Sequence, residues 1–143
     1  MPLSFFQILK LTQGDTHGQF YDLLTIFSMN GYPSDDHPYV INGDWVDRGR
    51  YGTAVRIHFP LVYFFEMFLF QITLVLLAFK IVYPNSVHLI RGNHESYRTT
   101  QQYGFRDEVL ALYHDESVYQ KIMYVFKTLP ICAVINGTYF VVV

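Results

Sequence analysis

The sequence predicts an α/β fold, and three observations support this class. Apolar runs at residues 5–12, 39–41 and 86–90 each lead into a polar motif that contains glycine. Segments with apolar residues at helical spacing lie between and after these runs. Near the end of the chain, Asn136-Gly137 separates two further apolar runs, which is typical of a two-residue hairpin turn. Repeated strand, loop and helix units place functional loops at the carboxyl ends of strands.

The first half of the chain is expected to alternate strands and helices. A buried strand over Phe5–Thr12 ends at Gly14, and a helix over Gln19–Met29 ends at Asn30-Gly31. Short strands over Tyr39–Ile41 and Ser86–Ile90 then lead into the next two polar motifs.

The last third of the chain is expected to hold two helices and a hairpin. The spacing of apolar residues predicts helices over Gly104–Tyr113 and Ser117–Lys127. The runs Ile131–Ile135 and Thr138–Val143 then form the arms of the predicted hairpin.

Composition sets the class of protein. A chain of 143 residues that is 51% apolar can form one domain with a buried core. The net charge of −2 and the lack of a basic stripe argue against nucleic-acid binding. The single cysteine, Cys132, excludes an intramolecular disulfide or a thiolate zinc cluster, and its apolar neighbours predict a buried thiol. The first residues lack the features of a secretory signal, so an intracellular location, cytoplasmic or nuclear, is expected.

Three polar motifs contain the candidate metal ligands and substrate-binding residues. They are Gly-Asp-Thr-His-Gly at 14–18, Gly-Asp-Trp-Val-Asp-Arg-Gly at 43–49 and Arg-Gly-Asn-His-Glu at 91–95. Each places an oxygen or imidazole ligand beside glycines, where the backbone can approach an ion closely. Such ligands suit divalent metals, and the arginines suit an anionic substrate. The candidate residues are Asp15, His17, Asp44, Asp47, Arg48, Arg91, Asn93 and His94.

The residue types suggest a division of roles. Asp44 is the best candidate for a carboxylate that bridges two metal ions, and Asp15 and His17 are close enough in sequence to share one ion. His94 is free to act as a general acid, with Asp47 as the carboxylate that orients it. The predicted reaction is hydrolysis of a phosphomonoester by a metal-activated water.

The motifs and their flanking sequences resemble the serine/threonine phosphoprotein phosphatase family, within the calcineurin-like metallophosphoesterases. The flanking sequences are GQFYDLL, YGFRDEVLALYH and LPICAVING, and the resemblance covers about residues 14–55 and 73–140. The nearest branches are type five, plant type seven and the calcium-regulated enzymes. The resemblance implies that residues 1–143 are part of a catalytic domain, the N-terminal half of a β-sandwich flanked by helices.

The resemblance also implies roles for individual residues. It assigns Asp15, His17 and Asp44 to a first metal ion, and Asp44 and Asn93 to a second. His94 paired with Asp47 is then the proton donor. Arg48 binds the substrate phosphate beside Asn93, and a structural salt bridge is expected for Arg91. The implied cofactors are two divalent ions of the manganese, iron or zinc type, and the implied substrate is a phosphoprotein.

Two departures from the family pattern limit these expectations. The sequence stops at Val143, whereas the family continues with further ligands of the second metal ion and another arginine. We therefore expect an incomplete second metal site and little or no phosphatase activity from this chain alone. The histidines outside the motifs are not expected to substitute as ligands; they are His37, His58, His88 and His114.

The second departure is an apolar stretch between the second and third motifs. Residues 50–82 are about twice as long as in the family, and the surplus lies at about 56–72. A transmembrane helix, a long buried helix and an insertion are the three interpretations. Glu66 and Pro60 disfavour a membrane span. A span here would also separate two motifs that must share a metal site, so an insertion is the preferred interpretation.

Other classes of function stay open. One alternative is a non-catalytic phosphatase remnant that binds a partner. Another is a membrane-anchored protein with a span at about 57–79. A nucleotidase or another phosphodiesterase would share the first and third motifs, but Gly-Asp-Trp-Val-Asp-Arg-Gly favours a protein phosphatase by resemblance.

Overall fold

Two three-stranded sheets form the centre of the structure, a computed structural model that describes residues 4–6, 11–48 and 68–143. The first sheet has the order β2-β3-β4, from Leu11–Gln13, Tyr39–Asn42 and Val87–Ile90. The second has the order β1-β5-β6, from Ser4–Phe6, Cys132–Ile135 and Tyr139–Val142.

All strands of the first sheet are parallel. Leu11 pairs with Tyr39, and Tyr39 pairs in turn with Val87. The carboxyl ends of β2, β3 and β4 therefore lie at one edge of the sheet, and the three polar motifs follow directly from that edge. In the second sheet, β1 runs parallel to β5, and β5 and β6 form an antiparallel hairpin.

Strands β3 and β4 are packed on both faces, which explains why they are mostly apolar, whereas β2 at the edge of the sheet has an exposed Thr12. Alternate residues of β3 and β4, such as Tyr39 and Leu89, belong to the main core shared with the helices. The intervening residues Val40 and Ile90 pack against Ala133 and Ile135 of β5. The two sheets thus face each other as a sandwich, with helices covering the outer face of the first sheet.

Most predicted elements are present. The helices α1 (Phe20–Asn30), α4 (Phe105–Tyr113) and α5 (Glu116–Thr128) match the predicted segments within one residue at each end. The hairpin turn is also confirmed, since Asn136 and Gly137 both have positive φ, as a type I′ turn requires. Cys132 is buried, as predicted.

Two expectations about the elements were wrong or incomplete. The single strand predicted over residues 5–12 is instead two strands, β1 and β2, which belong to different sheets. A continuous apolar run cannot reveal such a change of sheet. The short helix α3 (Tyr97–Tyr103) was not predicted, because its polar sequence has no apolar periodicity. Ser96 caps it by accepting a hydrogen bond from the Thr99 amide.

The helix α2 (Phe68–Val82) covers the end of the apolar stretch. The Phe70 amide, close to the start of this helix, donates to Glu108 Oε1 of α4 at 2.9 Å. Phe70 and Ile72 are buried in the main core. Residues 70–72, the last part of the proposed insertion, are thus integrated into the fold, while residues 56–67 lie outside the described residues.

The membrane-span interpretation of residues 57–79 is tested only in its second part, because residues 57–67 lie outside the described residues. Within the described ranges, no helix is long and apolar enough to cross a membrane.

Candidate functional site

The loops after β3 and β4 approach each other so closely that only glycine fits between them. A Cβ atom at Gly92 would lie 2.5 Å from the Asp44 amide nitrogen and closer still to Asp44 Oδ1. A Cβ atom at Gly43 would overlap the Gly92 amide nitrogen. The glycines of the second and third motifs therefore allow two backbone segments to touch at the edge of the sheet.

The buried carboxylate of Glu95 joins the same two loops. Its Oε2 accepts hydrogen bonds from the amides of Asp44 at 2.8 Å and Gly92 at 2.9 Å. Its Oε1 accepts from the amides of Trp45 at 3.0 Å and Val46 at 3.2 Å. Burial raises the pKa of Glu95 to about 7, and the amide bonds oppose this rise. Glu95 therefore fixes the position of Asp44 relative to the third motif.

The backbone around the site is strained. His17, Asp44, Asp47 and Arg48 are non-glycine residues with φ angles of 41°, 51°, 64° and 56°. Such angles cost on the order of 1–3 kcal/mol each and persist only where neighbouring contacts hold them. The network around Glu95 provides contacts of this kind, so the loops have a defined shape.

His17 is held with one ring nitrogen available. Its Nδ1 lies 3.1 Å from the carbonyl oxygen of Val46, which can only accept, so Nδ1 carries the proton in the neutral ring. Its Nε2 is then the nitrogen with a free lone pair, and it lies 3.7 Å from Asp15 Oδ2. This is the usual arrangement of a metal-binding histidine, with its second nitrogen fixed by the backbone.

His17, Asp44 and His94 converge. One potential ligand atom from each lies within 4.8 Å of the other two. The Asp44 carboxylate also accepts a hydrogen bond from the His94 amide at 2.9 Å. One buried carboxylate and two imidazoles form a donor set that suits a divalent transition metal. A divalent metal ion therefore fits here, although this set includes His94, which the sequence predicts as the proton donor, and does not include the predicted ligand Asp15.

His94 and Asp47 form a buried pair. His94 Nδ1 lies 3.0 Å from Asp47 Oδ2, and both side chains are almost wholly buried. Burial raises the pKa of Asp47 to about 7 and lowers the pKa of His94. His94 Nε2 is buried and has no hydrogen-bond partner among the described residues. A buried polar atom without a hydrogen-bond partner at this position indicates a group that binds a ligand.

Asp47 also fixes the start of α4. Its Oδ1 accepts a hydrogen bond from the Phe105 amide at 3.1 Å. One carboxylate therefore orients the imidazole of His94 through one oxygen and anchors the junction between α3 and α4 through the other.

The remaining sequence candidates lie around this centre. Arg48 is exposed, and its guanidinium carbon is 5.8 Å from the centre of the Tyr103 ring. Asn93 is exposed between Gly92 and His94. Arg91 donates from Nε to the backbone carbonyl of Glu95 at 3.0 Å. This contact gives Arg91 a structural role, and among the described residues its partner is a backbone carbonyl rather than the acid of a salt bridge.

The structure therefore brings His17, Asp44 and His94 together directly, with Asp15 beside His17 and Asp47 beside His94. Sequence reasoning missed the roles of Glu95 and Tyr103. Glu95 ends the third motif, and the apolar run at 86–90 that leads into this motif could have suggested a buried acid there. No sequence signal pointed to Tyr103.

Comparison with known proteins relates this arrangement to a described family. The sequence profile of the calcineurin-like phosphoesterases matches residues 11–143. The chain is 44% identical over 124 residues to human serine/threonine-protein phosphatase 5, which covers 87% of the chain and 21% of that protein. It is 42% identical over 126 residues to serine/threonine-protein phosphatase 7 of Arabidopsis thaliana, covering 87% of the chain and 26% of the relative.

A solved structure of a protein serine/threonine phosphatase from Saccharomyces cerevisiae is also similar. It superimposes with a TM-score of 0.76 at 35% identity, covering 90% of this chain and 35% of the yeast chain. The chain thus spans only about a fifth to a third of the length of these relatives.

Proposed function

The chain belongs to the calcineurin-like phosphoesterase family, and from this premise we propose that its three loops form the metal- and phosphate-binding part of a phosphomonoesterase centre. The proposed reaction is hydrolysis of phosphoserine or phosphothreonine in proteins, as the names of the relatives indicate. We further propose that residues 1–143 are part of the catalytic domain.

The proposed metal ligands are Asp15, His17, Asp44 and Asn93. The convergence of His17 and Asp44 within 4.8 Å, with Asp15 Oδ2 3.7 Å from His17 Nε2, is the observation that carries this proposal; His94 converges with them but is assigned to proton transfer. A divalent ion bound here would polarise a phosphoryl oxygen and lower the pKa of a bound water. Asp44 would be shared between two ions, because its carboxylate lies at the centre of the loops and is held by the contacts around Glu95.

His94 is the proposed proton donor to the leaving oxygen of the substrate. With Nδ1 directed at Asp47, only Nε2 can face the substrate, and it is the orphaned nitrogen. The Asp47 carboxylate would keep the ring in this orientation and stabilise its protonated form. The buried position of the pair limits exchange of that proton with bulk water.

Arg48 is the proposed phosphate-binding residue, with Asn93 beside it. The guanidinium is exposed and planar, and it can give two parallel hydrogen bonds to two phosphate oxygens. Arg48 directly follows Asp47 in the chain, so it belongs to the same loop as the carboxylate that orients His94.

Calorimetric titration with Mn²⁺ tests the metal site. We expect the wild-type chain to bind Mn²⁺, and Asp44→Asn to weaken binding at least about 10-fold. Asp22→Asn is the matched control, because Asp22 is an exposed acid on α1, and it should bind as the wild type does. If the wild-type chain fails to bind Mn²⁺, the non-catalytic remnant becomes the better description.

Hydrolysis of p-nitrophenyl phosphate tests the reaction. We expect Mn²⁺-dependent turnover that His94→Asn abolishes, because this variant removes the proposed proton donor. Turnover without a metal ion, or turnover that survives His94→Asn, would contradict the proposed centre.

A further inference from the structure

Tyr103 lies between the two residues proposed to meet the phosphate and the leaving group. Its ring centre is 5.3 Å from the ring centre of His94, with the planes inclined by 57°. The guanidinium carbon of Arg48 lies 5.8 Å from the same tyrosine ring. A single aromatic side chain therefore contacts both the proposed proton donor and the proposed phosphate ligand.

The position of this ring is fixed by the site itself. Tyr103 is the last residue of α3, and Gly104 follows in a left-handed conformation with φ of 112°. The next amide, that of Phe105, donates to Asp47 Oδ1, while Asp47 Oδ2 holds His94. Tyr103 is thus tied through two residues of backbone to the carboxylate that orients His94.

The contact with the Tyr103 ring limits the motion of Arg48, which, unlike the buried residues of the site, is not held by surrounding side chains within the described part of the chain. The Arg48 side chain is exposed, and a free arginine side chain loses rotamer entropy when it binds an anion. A guanidinium over an aromatic ring is attracted to the ring face. That attraction favours one orientation before phosphate binds, so part of the entropy loss has already occurred.

We propose that Tyr103 is a positioning residue, whose ring holds the Arg48 guanidinium beside His94 so that one phosphate group meets both. The proposal rests on the proposed function of this site. It predicts that Tyr103 acts on affinity for phosphate through Arg48, because its contact with Arg48 exists before phosphate binds.

Binding of inorganic phosphate to the Mn²⁺-loaded chain tests this role. From the size of a cation–ring contact, Tyr103→Leu should weaken phosphate binding about 2- to 5-fold, and Tyr103→Phe should restore it to within about 2-fold. Tyr97→Leu is the matched control, since Tyr97 begins the same helix but its ring contacts Tyr119. Tyr97→Leu should leave phosphate binding unchanged.

A double-mutant cycle separates positioning from a general structural effect. In the background of Arg48→Ala, the further change Tyr103→Leu should have no effect on phosphate binding. Additive losses would show that Tyr103 does not act through Arg48 and would overturn the proposal. Mn²⁺ affinity should be the same in all these variants.

Fluorinated phenylalanines at position 103 provide a test that leaves the volume of the ring almost unchanged. Fluorine removes electron density from the ring face, so phosphate affinity should fall stepwise with each added fluorine. Equal phosphate affinity for all of these fluorinated variants would overturn the proposal, even if Tyr103→Leu fails to fold.

The NMR signal of the Arg48 Nε–H group distinguishes this proposal from the proposed function. It should move between wild type and Tyr103→Leu without phosphate, because the ring current of Tyr103 is lost. An unmoved signal would overturn the positioning role while leaving the phosphatase proposal intact. A moved signal in a chain that binds no phosphate would instead support the contact and contradict the proposed function.

Discussion

The two sheets of the sandwich differ in where strain and buried charge are found. At the carboxyl edge of the first sheet, four non-glycine residues have positive φ and three carboxylates, those of Asp44, Asp47 and Glu95, are buried. In the second sheet, the outer strand β6 instead exposes large apolar side chains, with Tyr139 65% and Phe140 64% exposed. The first sheet can hold strained loops because both faces of β3 and β4 are packed. Changes at its edge should therefore cost far more than changes on β6.

Gly92→Ala should produce the largest effect. The added methyl group would overlap the Asp44 amide and carboxylate, so the two loops would have to separate and break the contacts around Glu95. We expect a loss of about 3 kcal/mol or more in the free energy of unfolding, measured by urea denaturation. Gly14→Ala is the control, since a Cβ atom there would have no neighbour within 4 Å. Equal midpoints for the two variants would refute the close-approach argument.

Glu95→Gln tests the buried carboxylate directly. The backbone amides of this loop now donate to the two oxygens of Glu95. The glutamine side chain replaces one of these oxygens with an NH₂ donor, so some of the backbone amides would be buried without an acceptor. We expect a loss of about 2 kcal/mol in unfolding free energy and faster hydrogen exchange at the amides of Asp44 to Val46. Glu116→Gln changes a half-exposed acid that pairs with Arg106, and it should cost under about 1 kcal/mol. Unchanged exchange at residues 44–46 would show that Glu95 does not hold the loop.

His88 provides a pH-dependent test within the first sheet. Burial, together with the charge of Lys80, lowers the pKa of His88 to about 4 from an ordinary value of 6.5. Below pH 6.5 the unfolded chain binds a proton that the folded chain does not, so stability falls as the pH drops from 6.5 towards 4. Allowing for its partial exposure, we expect a loss of about 1–2 kcal/mol over this range.

His88→Gln should remove this part of the pH dependence, as measured by urea denaturation at pH 4.5 and 7. His114→Asn replaces an exposed histidine in a left-handed helix cap, a conformation that asparagine tolerates. That control should keep the slope of the wild type. A wild-type slope in His88→Gln would mean that another group is responsible.

The contrast between the sheets also explains how much the sequence could predict. Most of the first sheet was predictable, because β3 and β4 are apolar runs that end in glycine motifs, and parallel strands bring such motifs to one edge. The closeness of His17, Asp44 and His94 followed from the same reasoning. The split of residues 5–12 into β1 and β2 was not predictable, because the choice of sheet depends on partners far away in sequence.

The sequence predicted that the three motifs meet, but it did not predict the contacts that hold them together. Glu95 holds the loop by accepting hydrogen bonds from backbone amides. Every residue type except proline has such an amide, so the pattern of side chains along the sequence does not reveal these bonds. Tyr103 belongs to a polar helix without apolar periodicity, and the position of its ring depends on where α3 ends. Contacts of this kind arise from tertiary packing, which single-sequence patterns do not contain.

Phe140→Thr should produce the smallest effect, and it tests the second sheet. Phe140 pairs with Val134 in the hairpin, but its side chain is mostly exposed, so little apolar burial is lost. Threonine suits a strand well, and we expect a change within about 0.5 kcal/mol in unfolding free energy. Ile135→Val is the control, because Ile135 is buried between the sheets and should lose about 1 kcal/mol. Since exposed apolar strands promote association, Phe140→Thr should also raise the concentration at which the chain aggregates, measured by light scattering. A large loss of stability in Phe140→Thr would mean that β6 is held as tightly as the first sheet, and the contrast between the two sheets would fail.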